Sequence, residues 1–227
     1  MSASSPRRQL WRWVLAGVCL CVLASGAVAG FVELEPTAPP LSLSRSAAGP
    51  VGGLQGAWEV ATGSLAGFRL KVSVLGFSND VVGRTHEVAG SVEIRNDSVR
   101  AARFRIGLRS IKIGSGLQSQ FAEDLGTTEH PYAIVSLLRP VRFGPDFSSG
   151  KAVFAAALAQ FSLHGESHSV RFQISSRRAG TGLQIAGSIP VVLSEWGIRT
   201  PKGFGFIGSL ANSGVAEFFL ILKRHRG

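Results

Sequence analysis

The sequence predicts an all-β domain over residues 56–227, a barrel or sandwich of about eight or nine antiparallel strands. Three observations lead there. Several segments alternate apolar and polar residues with a strict period of two, as strands do when one face is buried and the other is wet. Turn chemistry such as Asn96-Asp97 and Pro145-Asp146 separates them. One stretch alone, Gly116 to Gly126, carries helical spacing.

The elements follow in order. Residues 1–32 read as a targeting segment: Arg7, Arg8 and Arg12 precede 19 uncharged residues from Val14 to Val32. Ala27-Val28-Ala29 offers a small-residue cleavage site, whereas the length of the run suits a bilayer span. A transmembrane signal-anchor and a cleaved signal peptide therefore both stand. Glu33 and Glu35 after the run, with arginines before it, orient the chain with its N-terminus inside. The expected location is the cell membrane, single-pass with the barrel on the outer side, or secretion after a cut near Ala29. Residues 33–55 hold Pro36, Pro39, Pro40 and Pro50 among Ser, Ala and Gly, the composition of a tether.

Phe68, Leu70, Val72 and Val74 alternate with Arg69, Lys71 and Ser73. Val92 and Ile94 do so with Glu93 and Arg95, and Phe104, Ile106 and Leu108 with Arg103, Arg105 and Arg109. The phase slips at Ser110-Ile111, which predicts a bulge or strand end. Further strands are expected at 133–138, 151–159, 170–175, 182–189 and 215–223. Leu117, Phe121 and Leu125 lie at i, i+4 and i+8 with Gly126 as a stop, a short capping helix. The last strand, Glu217 to Lys223, is apolar on both faces. One face should look inward and the other should be covered, with the Gly116–Gly126 helix as the candidate cover. Pro190 cannot donate to a ladder and marks an edge, a bulge or a strand start.

Charge and chemistry narrow the function. The chain carries +10 formally, and four arginines and two glutamates precede residue 56, so +8 remains on the domain. A cationic face favours anionic partners. Arg103, Arg105 and Arg109 nevertheless point away from the aromatic Phe104, which is the wrong arrangement for a nucleic-acid platform. Cys19 and Cys21 are the two cysteines and both sit in the N-terminal apolar run, so the domain has no disulfide framework and no thiol nucleophile. His164 and His168 are four apart in LHGESHS, but Gly165 makes this a hairpin turn, not a metal-binding helix. Gly203-Phe204-Gly205-Phe206-Ile207-Gly208 has the glycine spacing of a phosphate cradle without its strand–turn–helix context. No enzyme, cofactor or metal site is expected.

An apolar inner face remains. Phe68, Leu70, Phe104, Ile106, Phe154, Phe172, Ile174, Trp196, Phe218 and Leu220 share the apolar phase of their segments, and Phe204 and Phe206 would flank a mouth. In a small barrel such a set either packs solid or encloses one apolar ligand.

Short motifs then carry a resemblance over about Gly56 to Arg224. They are Gly56-Ala57-Trp58 with Ser64 and Gly67-Phe68; Val82-Gly83-Arg84-Thr85 with Val88-Ala89-Gly90; Ile111-Lys112-Ile113-Gly114; His130-Pro131; Leu163-His164-Gly165 with Val170; and Gly187-Ser188-Ile189-Pro190 through Ser194-Glu195-Trp196-Gly197-Ile198. In this order the chain resembles the lipid/polyisoprenoid-binding YceI-like family. It departs at Gln118-Ser119-Gln120, where the family often has an Arg-Asp pair, and around Asn212-Ser213, where the family has Asp. The resemblance implies a lipocalin-like, extended eight-stranded antiparallel barrel with an apolar lumen that binds a long isoprenoid-type lipid, such as a polyprenyl lipid or quinone tail, without catalytic residues. It shifts Trp196 from a core plug to a candidate for the mouth or wall of the lumen. The alternative is a packed, non-enzymatic interaction module whose cationic face meets anionic membrane headgroups.

Overall fold

A computed structural model of the chain describes residues 38–43, 53–74, 77–113, 118–144, 147, 150–199 and 208–225. The expected helix over 1–32, and Phe204 and Phe206, lie outside the described residues. Among the described residues no helix is long and apolar enough to cross a membrane.

Eight strands close a ring: β1 (Gly56–Val60), β4 (Val88–Arg95), β5 (Ser98–Gly107), β7 (Tyr132–Leu137), β9 (Val153–Leu163), β10 (Glu166–Ala179), β11 (Gly182–Val192) and β12 (Gly208–Arg224). Pairing of Trp58 with Arg224 joins β12 back to β1 and removes the free edge. Every pairing is antiparallel. β12 is long enough to pair with β1 at its C-terminal end and with β2 (Leu65–Val74) along the rest. From β2 hang β3 (Phe77–Thr85) and the two-residue β6 (Lys112–Ile113), while β8 (Val141–Arg142) pairs with β5.

Local chemistry explains the joints. Asn96 and Asp97 both adopt positive φ (51° and 54°), as do His164 and Gly165 (52° and 83°). Two consecutive left-handed residues make the turn whose twist matches a tight hairpin. The phase slip resolves as a break: β5 ends at Gly107, a turn follows, and the chain resumes with buried Ile111 and β6. β3 is mostly polar in sequence, FSNDVVGRT, which hides it from periodicity. It is held by the ladder to β2.

The short helix runs over Gln118–Asp124 and stops at left-handed Gly126 (φ 55°). It does not cover the outer face of β12. Phe121 is instead buried and stacks on Phe68 at 5.2 Å, so the helix closes one end of the barrel. The outer face of β12 is covered elsewhere. Glu217 points outward yet is buried beneath Arg69 (3.5 Å) and Arg84 (2.9 Å). Pro39 and Leu41 lie over this cluster, the Pro39 carbonyl accepting from Arg84 and the Leu41 amide donating to Glu217 at 3.4 Å. Burial raises the pKa of neighbouring Asp80, but hydrogen bonds from Arg69 and Lys71 outweigh it and hold the carboxyl below its ordinary range. Pro39 onward thus belongs to the compact unit of the barrel.

Candidate functional site: an apolar lumen

Inward positions recur every second residue along each strand. Two cavities follow from them. One of about 100 Å³ lies at the helix end, walled by Phe68 and Leu70 of β2, Phe121 and Leu125, Phe161 and Leu163 of β9, and Ile189 and Val191 of β11. The other, about 80 Å³, lies farther along the barrel between Phe104 of β5, Ala157 and Ala159 of β9, Phe172 and Ile174 of β10, and Leu220 of β12. Ala66, Ile106, Val135 and Phe218 border both. They form a waist between two lobes of one lumen.

The lining is hydrocarbon throughout, with Glu217 the one charged residue at its border. Either lobe has room for water but gives it no polar partner. The emptiness has a structural cause. Phe68 pairs across strands with Gly83, Phe104 with Gly90, and Phe218 with Gly187. A Cβ built on these glycines would fall 2.5 Å from the Phe68 ring, 2.7 Å from that of Phe104 and 2.7 Å from that of Phe218. Each ring packs closely against a bare backbone on the neighbouring strand, in space that a side chain there would take.

The structure places Phe68 and Leu70 in the helix-end lobe, Phe104, Phe172, Ile174 and Leu220 in the far lobe, and Ile106 and Phe218 at the waist. Two expectations fail. Phe154 is 78% exposed, on the outer face. In β9 the sequence VFAAALAQFSL is apolar on both faces, and the inward set is Ala157, Ala159, Phe161 and Leu163. Trp196 borders neither lobe and is 1% exposed.

Trp196 fills a seam. The β10–β11 ladder ends at Ile174 with Gly187, and residues 188–192 pair with β12 alone. Pro190 sits in that released stretch, where no donor to β10 is required. The chain then turns through a 3-10 helix, Leu193–Trp196, ended by left-handed Gly197. This turn drives the indole between Phe161 (centroids 5.6 Å apart) and His168 (4.8 Å). Both hairpin histidines clamp the turn from its backbone, His164 Nδ1 lying 3.0 Å from the Trp196 carbonyl oxygen and His168 Nε2 3.0 Å from that of Glu195.

Reading the sequence missed Ala66, Val135, Phe161, Ile189 and Val191 as lining residues. The glycines opposite the phenylalanines were a usable signal. A glycine inside a strand marks the close approach of something else, and Gly83, Gly90 and Gly187 each stand opposite a phenylalanine.

The closed antiparallel ring with a hydrocarbon-lined, two-lobed interior defines the class: a β-barrel with an apolar lumen in place of a solid core. The YceI-like domain family model matches residues 58–215, and the chain belongs to that family. Among solved structures it is similar to a polyisoprenoid binding domain from Saccharophagus degradans implicated in plant cell wall breakdown, at 15% identity and a TM-score of 0.58, covering 74% of this chain and 98% of that one. It is also similar to Burkholderia cenocepacia BcnA, at 12% identity and a TM-score of 0.53, covering 73% and 95%. No curated protein matches the sequence.

Proposed function

We propose that this protein is an exported, membrane-tethered binding protein that holds one long isoprenoid-type lipid in its lumen and catalyses no reaction. The observation that carries the reading is the hollow itself. Three phenylalanines that would fill a solid core lie back over Gly83, Gly90 and Gly187, leaving two apolar lobes in line. Each methylene transferred from water into such a site contributes about 0.8 kcal/mol. A tail of ten such groups gains on the order of 8 kcal/mol before the costs of association are subtracted. A methyl-branched chain is flexible enough to pass a waist built from side chains.

The family relationship supports the same ligand class, since the Saccharophagus degradans relative is described as polyisoprenoid-binding. Glu217 borders the lumen through its backbone while its carboxylate points outward to Arg69 and Arg84, so the lining offers no ionisable side chain among the described residues, which supports binding over acid–base chemistry. Export and tethering rest on the arginine-flanked apolar run before residue 33 and the proline-rich stretch after it.

Native mass spectrometry of the full chain purified from membranes tests the proposal. The expected result is one lipid per chain, exchangeable for added polyprenol or isoprenoid quinone. Ligand-free protein that takes up neither, yet binds anionic liposomes in a salt-sensitive way, would replace it with the interaction-module reading.

A further inference from the structure

We propose that the barrel lies on an anionic lipid surface through one side of its outer wall, the side formed by β5, β7, β9 and β10. The inference goes beyond the lumen reading and does not depend on it. The side chains concerned point away from the cavities and meet headgroups whether or not a tail is bound.

The side is defined by its lack of acids. β5, β7, β9 and β10 are consecutive neighbours in the ring, and their sequences contain a single acidic residue, Glu166, at the hairpin end of β10. They carry Arg100, Arg103, Arg105, Arg171, Arg177 and Arg178. Arg177 donates to Gln184 and Arg178 is buried, whereas Arg100, Arg103, Arg105 and Arg171 are exposed. Elsewhere on the barrel the charges are matched. Arg69 and Lys71 pair with Asp80, Arg69 and Arg84 with Glu217, Arg95 with Glu93, and Lys223 with Glu59. All of these stand on β1, β2, β3, β4 or β12. The four exposed arginines have no carboxylate partner among the described residues.

Strand pairing sets them in one field. Arg103 stands opposite Ser136 of β7, Ser136 opposite Gln160 of β9, and Gln160 opposite Ser169 of β10. The next outward row is Arg105, Ile134, Ser162 and Ser167. On the other side of the first row the Leu138 amide donates to the Leu158 carbonyl, and Leu158 pairs with Arg171. Phe104, Val135, Ala159 and Phe172 of the same strands line the lumen, so these rows face outward by alternation.

The apolar residues on this side select a lipid surface. The large hydrophobic side chains exposed among the described residues are Tyr132, Leu138 and Phe154, which belong to β7, its last turn and β9. Arg105 lies over the Tyr132 ring, 4.5 Å from its centroid. Apolar side chains among unpaired arginines suit a headgroup layer, where guanidiniums hold phosphates and the apolar groups enter beneath them. A nucleic acid fits less well. The outside of a barrel is convex and gives a strand no channel to track, and Leu138 offers no ring to stack on a base.

The test uses the full chain in nanodiscs of phosphatidylcholine alone or of phosphatidylcholine mixed with phosphatidylglycerol. Modification of each arginine by phenylglyoxal is followed by mass spectrometry. On anionic discs at low salt Arg103, Arg105 and Arg171 should react about fivefold more slowly than on neutral discs, the gain in occupancy expected for one arginine near an anionic surface. High salt should restore their rates. Arg95, exposed on the ion-paired side, should react alike on both discs. Arg103→Glu combined with Arg171→Glu should return Arg105 to its neutral-disc rate. Lys71→Glu combined with Arg95→Glu makes the same change in net charge on the ion-paired side and should leave Arg105 protected. Equal rates on the two discs, protection of Arg95 along with the others, or loss of Arg105 protection in both charge variants overturns the assignment of this wall. So does a single-stranded oligonucleotide that protects the three arginines on neutral discs more strongly than anionic lipid does. Lipid uptake by native mass spectrometry reads the lumen separately, so either reading can fail alone.

Discussion

Replacing Trp196 by alanine separates a plug from a wall. The indole is 1% exposed and packed between Phe161 and His168. A tryptophan buries on the order of 200 Å², which at about 25 cal/mol per Å² is an upper figure of about 5 kcal/mol. Truncating a buried aromatic costs about 3–5 kcal/mol in practice. One term runs the other way, because Trp196 Nε1 is buried with no acceptor among the described residues, and an unmet donor already penalises the native state by about 1–3 kcal/mol. The net loss expected for Trp196→Ala is therefore about 2 kcal/mol, with bounds of about 0–4 kcal/mol. Trp196→Phe discards the unmet N–H, keeps most of the apolar contact, and should stay within about 1 kcal/mol of wild type. Urea denaturation followed by far-UV circular dichroism reads both. The lipid affinity of the folded Trp196→Ala protein should be unchanged, since the indole borders neither lobe. A variant that keeps its urea midpoint and loses lipid would refute the reasoning and restore Trp196 to the lumen wall.

Two further outcomes follow from the same geometry. Gly187→Ala puts a Cβ 2.7 Å from the Phe218 ring and 2.9 Å from the Gln173 carbonyl oxygen; it should cost about 1–3 kcal/mol and push the ring into the waist. Native mass spectrometry across a tail-length series should then show a shorter longest tail, and an unchanged limit would contradict the role given to the Phe–Gly pairs. Asp124 ends the short helix, and burial first, then Glu123, raises its pKa. The native carboxyl thus holds its proton more tightly than the unfolded chain does, so stability falls as pH rises from the ordinary carboxylate value through the raised native one. Asp124→Asn should stabilise by about 0.5–1 kcal/mol at neutral pH, where it also relieves an unfavourable charge at a helix C-terminus. The gain should vanish near pH 3, and a gain equal at both pH values would rule out the protonation account.

Much of the barrel was legible in the chain because side-chain alternation is a local property. Phe68 and Leu70, and Phe104 and Ile106, face inward as their polar neighbours require, and Phe218 and Leu220 do so in the phase opposite Glu217 and Lys223. The helix also declared itself, through Leu117, Phe121, Leu125 and the stop at Gly126. Phe154 did not, since β9 carries apolar residues in both phases and only its pairing with β7 and β10 decides which phase is inside. The proline-rich segment gave no sign that Pro39 and Leu41 bond to Arg84 and Glu217, partners far along the chain.

The sequence by itself determined most of the ring strands and most of their inward faces, because each depends on residues next to one another. Tertiary structure alone decided that the inward phenylalanines lie over glycines and leave a hollow, that the β10–β11 ladder stops at Gly187, and that Trp196 fills the seam beyond it. The reason is physical. Whether a ring stands across a barrel or against its wall depends on the residue opposite it, and register sets that partner across the sheet.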